Sequence, residues 1–329
     1  MAKIFVTGSG SWGTAIAISL ASAGNSVKLW SRNLDFTEEL KASRENTRYL
    51  PGVKINTNVE FTSDMAECAN SDVIVLATPS HTIRSISKAL SAFVKEKQII
   101  VSISKGFDEE KYTRLTEVIK EEIPQATVLA MSGPSHAEEV SRALPTTNVV
   151  AGTDLEATKF VQKIFNTPTF RIYTSDDVIG VELGGAIKNV IALAAGVCDG
   201  LGYGDNTKAA LITRGIAEIT RLGIAMGAKP ETFAGLSGIG DLIVTCASMH
   251  SRNRRAGILI GKGKSVQEAE REVNMVVEGI KTAKAVYYLS NKYGVEMPIA
   301  TEVYRVVFEN QNAKECVWNL MNRSLKPEV

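Results

Sequence analysis

A single lysine, Lys188, interrupts an apolar helical run from Val181 to Gly196. Lysine in such a run is unusual unless it is paired or its stem reaches the surface. An ammonium held there can give a proton to an oxygen that gains charge, so Lys188 is the candidate proton donor. The plain alternative is a lysine that snorkels at a domain interface. Gly184 and Gly185, one turn earlier, remove side chains and are expected to let a ligand or cofactor approach. A glycine-rich stretch, Gly235-Leu236-Ser237-Gly238-Ile239-Gly240, ends at Asp241, which opens the apolar run Leu242-Ile243-Val244. Asp241 could orient Lys188, or simply cap a helix. A lysine pKa near ~10.4, raised further by Asp241, would keep Lys188 protonated at neutral pH and favour giving a proton over taking one. Ser251-Arg252-Asn253-Arg254-Arg255 is the one dense basic cluster. At a helix start it suits a phosphate, and otherwise it is a solvated loop.

A second kind of chemistry stands at the start of the chain. The short β-branched run Lys3 to Thr7 leads into Gly8-Ser9-Gly10-Ser11-Trp12-Gly13, followed by a helical pattern from Thr14 to Ala23. Strand, glycine turn and helix in that order are what a dinucleotide-binding unit needs. Gly8 allows the turn, Gly10 lets backbone approach a pyrophosphate, and Gly13 lets helix and strand pack closely. Arg32 follows the next strand, where an acidic residue usually takes a ribose hydroxyl. A cation there can hold a 2′-phosphate, so NADPH is favoured over NADH. Asp35 nearby leaves NAD open, and a solvated surface arginine is the plain reading of Arg32.

These groups need a scaffold. Continuous apolar runs at Val73 to Ala77, Ile99 to Ile103 and Val128 to Met131 read as strands covered on both faces, hence a parallel sheet. Val27 to Trp30, Asn148 to Ala151 and Thr169 to Tyr173 extend it, with helices between, such as Ile83 to Val94 and Leu115 to Glu122. From about Val178 the patterns are helical and long: Val181 to Gly196, Ala209 to Met226, Ser265 to Val273, Lys281 to Tyr293 and Ile299 to Phe308. The expected fold is an α/β Rossmann-like N-terminal domain, 1–177, with a mostly parallel sheet, then an all-α domain, 178–329, for substrate and catalysis. In an open parallel sheet, ligands sit beyond the carboxyl ends of the strands. The residues there are the glycine loop, Arg32, Thr78-Pro79-Ser80-His81, Ser104-Lys105-Gly106 and Ser132-Gly133-Pro134-Ser135.

The 329 residues carry 37 Lys and Arg against 36 Asp and Glu, a net charge of +1. No global field draws the chain to nucleic acid, and one basic cluster is a poor footprint for it. No uninterrupted apolar run approaches the ~20 residues of a spanning helix. The early first strand leaves no room for a signal peptide. Cys68, Cys198, Cys246 and Cys316 are widely spaced and read as free thiols, so a cytoplasmic location is expected. His81, His136 and His250 have no metal-ligand spacing, and no metal is expected. Lys281 to Tyr293 could face a second copy in a homodimer, although its apolar residues suit a core.

In this order, these motifs match one family closely. Along nearly its whole length the chain resembles the bacterial-type NAD(P)-dependent glycerol-3-phosphate dehydrogenases. The resemblance rests on Gly8 to Gly13, Ser104 to Gly106, Ser132 to Ser135, Gly184 to Asn189, Ala210 to Gly215, Gly238 to Leu242, Ser251 to Arg255 and Val276 to Gly279. It implies reversible reduction of dihydroxyacetone phosphate to sn-glycerol 3-phosphate with NAD(P)H, for phospholipid synthesis. It also implies Lys188 as proton donor or acceptor, with Lys105, Asp241 and Asn189 around the reacting carbons. Gly133, Ser135, Thr245, Ser251, Arg252 and Asn253 would hold the substrate. Ser11, Trp12, Arg32, Ala137, Val276 and Glu278 would touch the cofactor, and Lys105 and Arg252 would border both. The rivals are a 3-hydroxyacid or 6-phosphogluconate-type dehydrogenase, and a non-catalytic NADPH-binding sensor.

Overall fold

The computed structural model describes residues 1–325 and 327–328. Eight strands make one sheet: β1 Lys3–Thr7, β2 Ser26–Trp30, β3 Val59–Thr62, β4 Val73–Leu76, β5 Ile99–Ser102, β6 Thr127–Ser132, β7 Thr146–Ala151 and β8 Phe170–Ser175. Their order is β3-β2-β1-β4-β5-β6-β7-β8, and only the β6–β7 pair is antiparallel. The first six strands therefore share one carboxyl edge. Every residue of Val73–Leu76 is buried, as a strand covered on both faces requires. Strand β3 was not anticipated. It has four residues, one an exposed Glu60, and it lies at the sheet border after a polar stretch.

Helices α1 Ser11–Ser22, α2 Leu34–Ser43, α3 Ile83–Leu90, α4 Leu115–Glu122, α5 Ala137–Val140 and α6 Leu155–Phe165 lie among the strands. The rest is helical: α7 Val178–Gly200, α8 Asp205–Ala225, α9 Pro230–Phe233, α10 Asp241–Ala247, α11 Arg252–Gly261, α12 Val266–Val273, α13 Glu278–Tyr293, α14 Pro298–Phe308 and α15 Ala313–Met321. The sheet carries an apolar cluster on each face, and the helical half has its own around α7.

Helix α7 is the axis of the helical half. By length and mean hydropathy it could cross a membrane, although Glu182, Lys188 and Asn189 interrupt its apolar run. Yet 83% of its most apolar window is buried inside the protein, which marks a core helix. Asp177 caps it, accepting from Gly180 N at 2.9 Å and also from Lys229 N and Thr232 Oγ1. A Cβ on Gly196 would lie 2.0 Å from Arg254 O, and one on Gly257 would lie 2.1 Å from Leu193 O. Helix α11 can thus lie directly against α7. On the other side, Glu182 accepts from Thr116 N at 2.9 Å, Thr116 Oγ1 at 2.6 Å and Arg114 Nη1 at 2.7 Å. That ties α7 to α4 of the sheet half. On α13, Ile280, Val286 and Leu289 lie in the core, while Tyr288 and Tyr293 are exposed.

Candidate active site

Lys188 lies mid-helix in α7, and only 6% of it is exposed. Its ammonium does not snorkel. It donates to Asp241 Oδ1, and to Thr245 Oγ1 at 2.7 Å. Thr245 in turn donates to Asp241 O at 2.6 Å, so the first turn of α10 is a folded cradle for one ammonium. Asp241 does not act as a helix cap. Gly240 holds that position, and the carboxylate turns to bridge the halves. Its Oδ2 accepts from Lys105 Nζ at 2.5 Å, and Lys105 also donates to Gly133 O at 3.1 Å.

Lys105 follows β5 and Gly133 follows β6. The two lysines thus meet one buried carboxylate at the carboxyl edge of the sheet. The glycine loop after β1 opens on the same edge. Strand β4 alone separates β1 from β5, so about 10 Å of sheet lies between the loop and Lys105.

Burial governs the electrostatics. It pulls the Lys188 pKa down to about 7, with Asp241 opposing and the like charge of Lys105 adding to the fall. The expected net rise beside Asp241 is therefore overturned. Removing an ammonium from water costs more here than one carboxylate returns, because that carboxylate is shared. Burial pushes the Asp241 carboxyl up, but the two ammoniums hold it below its ordinary value. His136, at the head of α5, is kept on the neutral side by burial and by Lys188.

The glycine doublet in α7 also departs from expectation. A Cβ on Gly184 would meet Ser237 O at 2.4 Å, and one on Gly185 would meet Ser132 Oγ at 2.3 Å. The missing side chains admit protein, not a ligand. They let α7 pack against the turn before α10 and the end of β6.

Asn189, one residue on from Lys188, accepts from Asn253 Nδ2 at 2.9 Å, and Asn253 Oδ1 accepts from Gly279 N at 2.8 Å. The two amides brace α7, α11 and α13. Ser251 caps α11 by accepting from Arg254 N. Arg252 donates to Val276 O at 3.3 Å, while Ser135 donates to Gly133 O at 2.9 Å. Arg254 binds Asp199 and Ala247 O, so this member of the basic cluster is committed to structure. Glu278, at the start of α13, accepts from Ser80 N at 3.2 Å and Ser80 Oγ at 2.7 Å. That contact joins the helical half to the loop after β4. Ser80 and Ser132 were placed at the ligand edge by the sequence but given no role of their own, because small hydroxyl residues at strand ends have no distinctive spacing.

The glycine loop fits a dinucleotide. Gly8 has φ +93°, and a Cβ on Gly13 would lie 1.8 Å from Gly8 O. A Cβ on Gly10 would meet nothing within 4 Å, so this glycine faces open space. Helix α1 starts at Ser11 with no side-chain cap bond and no acidic residue in its first turn. Its N–H groups and dipole are left for an anion. Trp12 is half-buried beside them and Ala137 starts α5, which packs on α1. Arg32 is exposed, with no ion pair among the described residues.

A family model described as NAD-dependent glycerol-3-phosphate dehydrogenase N-terminus matches residues 3–158, and the C-terminus model of the same family matches 177–318. The chain belongs to this family. A glycerol-3-phosphate dehydrogenase [NAD(P)+] from Fusobacterium nucleatum is 54% identical over 334 residues, covering 100% of this chain and 99% of that one. One of the same description from Agathobacter rectalis is 55% identical, over 100% and 98%. The crystal structure of glycerol-3-phosphate dehydrogenase from Coxiella burnetii superposes with a TM-score of 0.94 at 36% identity, covering 98% and 99%. Full-length membership decides against the 3-hydroxyacid and 6-phosphogluconate-type rivals. NAD(P) is the cofactor of the family, and the glycine loop fits it.

Proposed function

We propose that this chain interconverts dihydroxyacetone phosphate and sn-glycerol 3-phosphate with NAD(P)H, and that Lys188 moves the proton. The observation that carries this reading is the buried Lys188 ammonium, shared between Asp241 and Thr245 and facing Lys105 from the sheet half. Bound NAD(P)H supplies a hydride to the ketone carbon. Lys188 gives its proton to the ketone oxygen, and in the reverse direction the free amine takes one from the alcohol. A pKa of about 7 suits both roles. The Lys105 side chain lies where the alkoxide develops, an electrostatic stabilisation worth a few kcal/mol. Asp241 holds both ammoniums in place and Asn189 supports the reacting centre. Arg252, with Ser251 and Asn253 at the start of α11, takes the substrate phosphate, and Gly133, Ser135 and Thr245 line its other end.

Gly8, Gly10, Ser11, Trp12, Gly13 and Ala137 hold the dinucleotide, while Val276 and Glu278 close over it from the helical half. Arg32 reads the 2′-phosphate, so NADPH is the preferred form. We divide the chain at 177/178, between the end of β8 at Ser175 and the capped start of α7. The product supplies glycerophospholipid synthesis. Four free, buried thiols support a cytoplasmic location. Following nicotinamide absorbance on adding dihydroxyacetone phosphate tests the activity. Loss of NADPH absorbance is expected; NADPH binding without turnover would instead favour a non-catalytic sensor.

A further inference from the structure

Beneath the lysine pair, between β5, β6 and α7, lies a small cavity lined by Ser102, Ser104, Lys105, Ser132, Val181 and Glu182. It leaves about 10 Å³ for the centre of a water molecule, enough for one. Its walls are polar in a particular way. Ser102 Oγ is buried with no hydrogen-bond partner among the described residues. Ser104 Oγ is already committed to Thr78 O at 2.5 Å. Both Glu182 oxygens already accept from Thr116, with Arg114 beside them. Ser132 Oγ points the other way, to Asp241 Oδ2, at a long 3.4 Å. Its own lone pairs are free to accept. Gly185 leaves room for this hydroxyl, since a Cβ there would lie 2.3 Å from it. A buried hydroxyl without a partner is costly, and a polar pocket of one-water size is where such a group finds one.

We propose that Ser132 is a positioning residue for Asp241, and that one water held between Ser102 and Ser132 completes its support. Asp241 must keep its two oxygens on two different lysines from opposite halves of the molecule. Ser132 is the only described hydroxyl that reaches Oδ2, the oxygen on the Lys105 side. The water accepts from Ser102 and donates to Ser132, which leaves the Ser132 proton for the carboxylate. Removing Ser132 lets Oδ2 swing, weakens the hold on Lys188, and lets burial lower the Lys188 pKa further. The other titratable groups around the pair are Lys105 after β5, His136 at the head of α5, Cys246 in α10 and Glu182 on α7. Of these, Lys105 shares Oδ2 with Ser132, so the serine acts on the pair through that one oxygen. This inference rests on Lys188 as the proton donor.

The test is Ser132→Ala in the full-length enzyme, assayed with NADPH and dihydroxyacetone phosphate across pH. The kcat of reduction should fall about tenfold, with both KM values within about twofold of the parent. The alkaline limb of kcat should move to lower pH by about half a unit or more. Ser102→Ala should move the same limb in the same direction, by less. An unmoved limb in Ser132→Ala overturns the proposal, and so does a rise in KM at constant kcat. Lys188→Met separates the two ideas. If it is inactive while Ser132→Ala matches the parent, only the serine's role fails. If Lys188→Met is active, the reading beneath it fails.

Discussion

The two sides of the candidate active site are built from opposite materials. The nucleotide side is backbone: a positive-φ glycine, a glycine facing open space, and an uncapped helix end. The proton side is charge: two ammoniums and one carboxylate, with Lys188 and Asp241 almost fully buried. A backbone site depends on the absence of side chains and tolerates exposure. A charge site depends on exclusion of water, because burial is what brings an ammonium to a useful pKa. Damage to one side should therefore spare the other.

The largest separation is expected from Lys188→Met. Turnover should fall about a thousandfold, within the range of a general acid, while NADPH binding by fluorescence titration stays intact. Near-normal turnover would remove Lys188 from its role. Within the glycine loop, the next contrast is between two alanines. Gly13→Ala places a Cβ 1.8 Å from Gly8 O, so it should cost about 2 kcal/mol or more in denaturant unfolding, by overpacking. Gly10→Ala meets no protein atom within 4 Å, so its unfolding midpoint should match the parent while KM for NADPH rises. Equal stability losses in the two variants would mean that Gly10 is not a ligand glycine. The smallest effect is expected from Arg32→Ala. Its ratio of kcat/KM for NADPH over NADH should drop about tenfold, the worth of one exposed charged contact. An unchanged ratio would leave Arg32 a surface residue.

The two sides also differed in how far they could be read from the chain. The glycine loop was legible because its logic is local: a β-branched strand, three spaced glycines and a helix follow one another within about twenty residues. Lys188 was legible as the one lysine in an apolar run, and Asp241 as its partner. The sign of its pKa shift was not. That sign depends on α7, α10 and the ends of β5 and β6 closing together, with one carboxylate divided between two lysines. Gly184 and Gly185 were misread for a related reason. A missing side chain can admit a ligand or a neighbouring backbone, and only the position of Ser237 and Ser132 decides. Strand β3 escaped because four residues with an exposed glutamate carry too little pattern.

The claim that burial holds Lys188 near neutrality is tested most directly by kcat against pH in both directions. Reduction uses the ammonium and should lose rate as pH rises through about 7, while oxidation uses the free amine and should gain rate over the same interval. Two limbs bending near the same pH, both absent in Lys188→Met, would bear the account out. A reduction rate that stays flat to pH 10 would mean that Lys188 keeps an ordinary lysine pKa, and would contradict it.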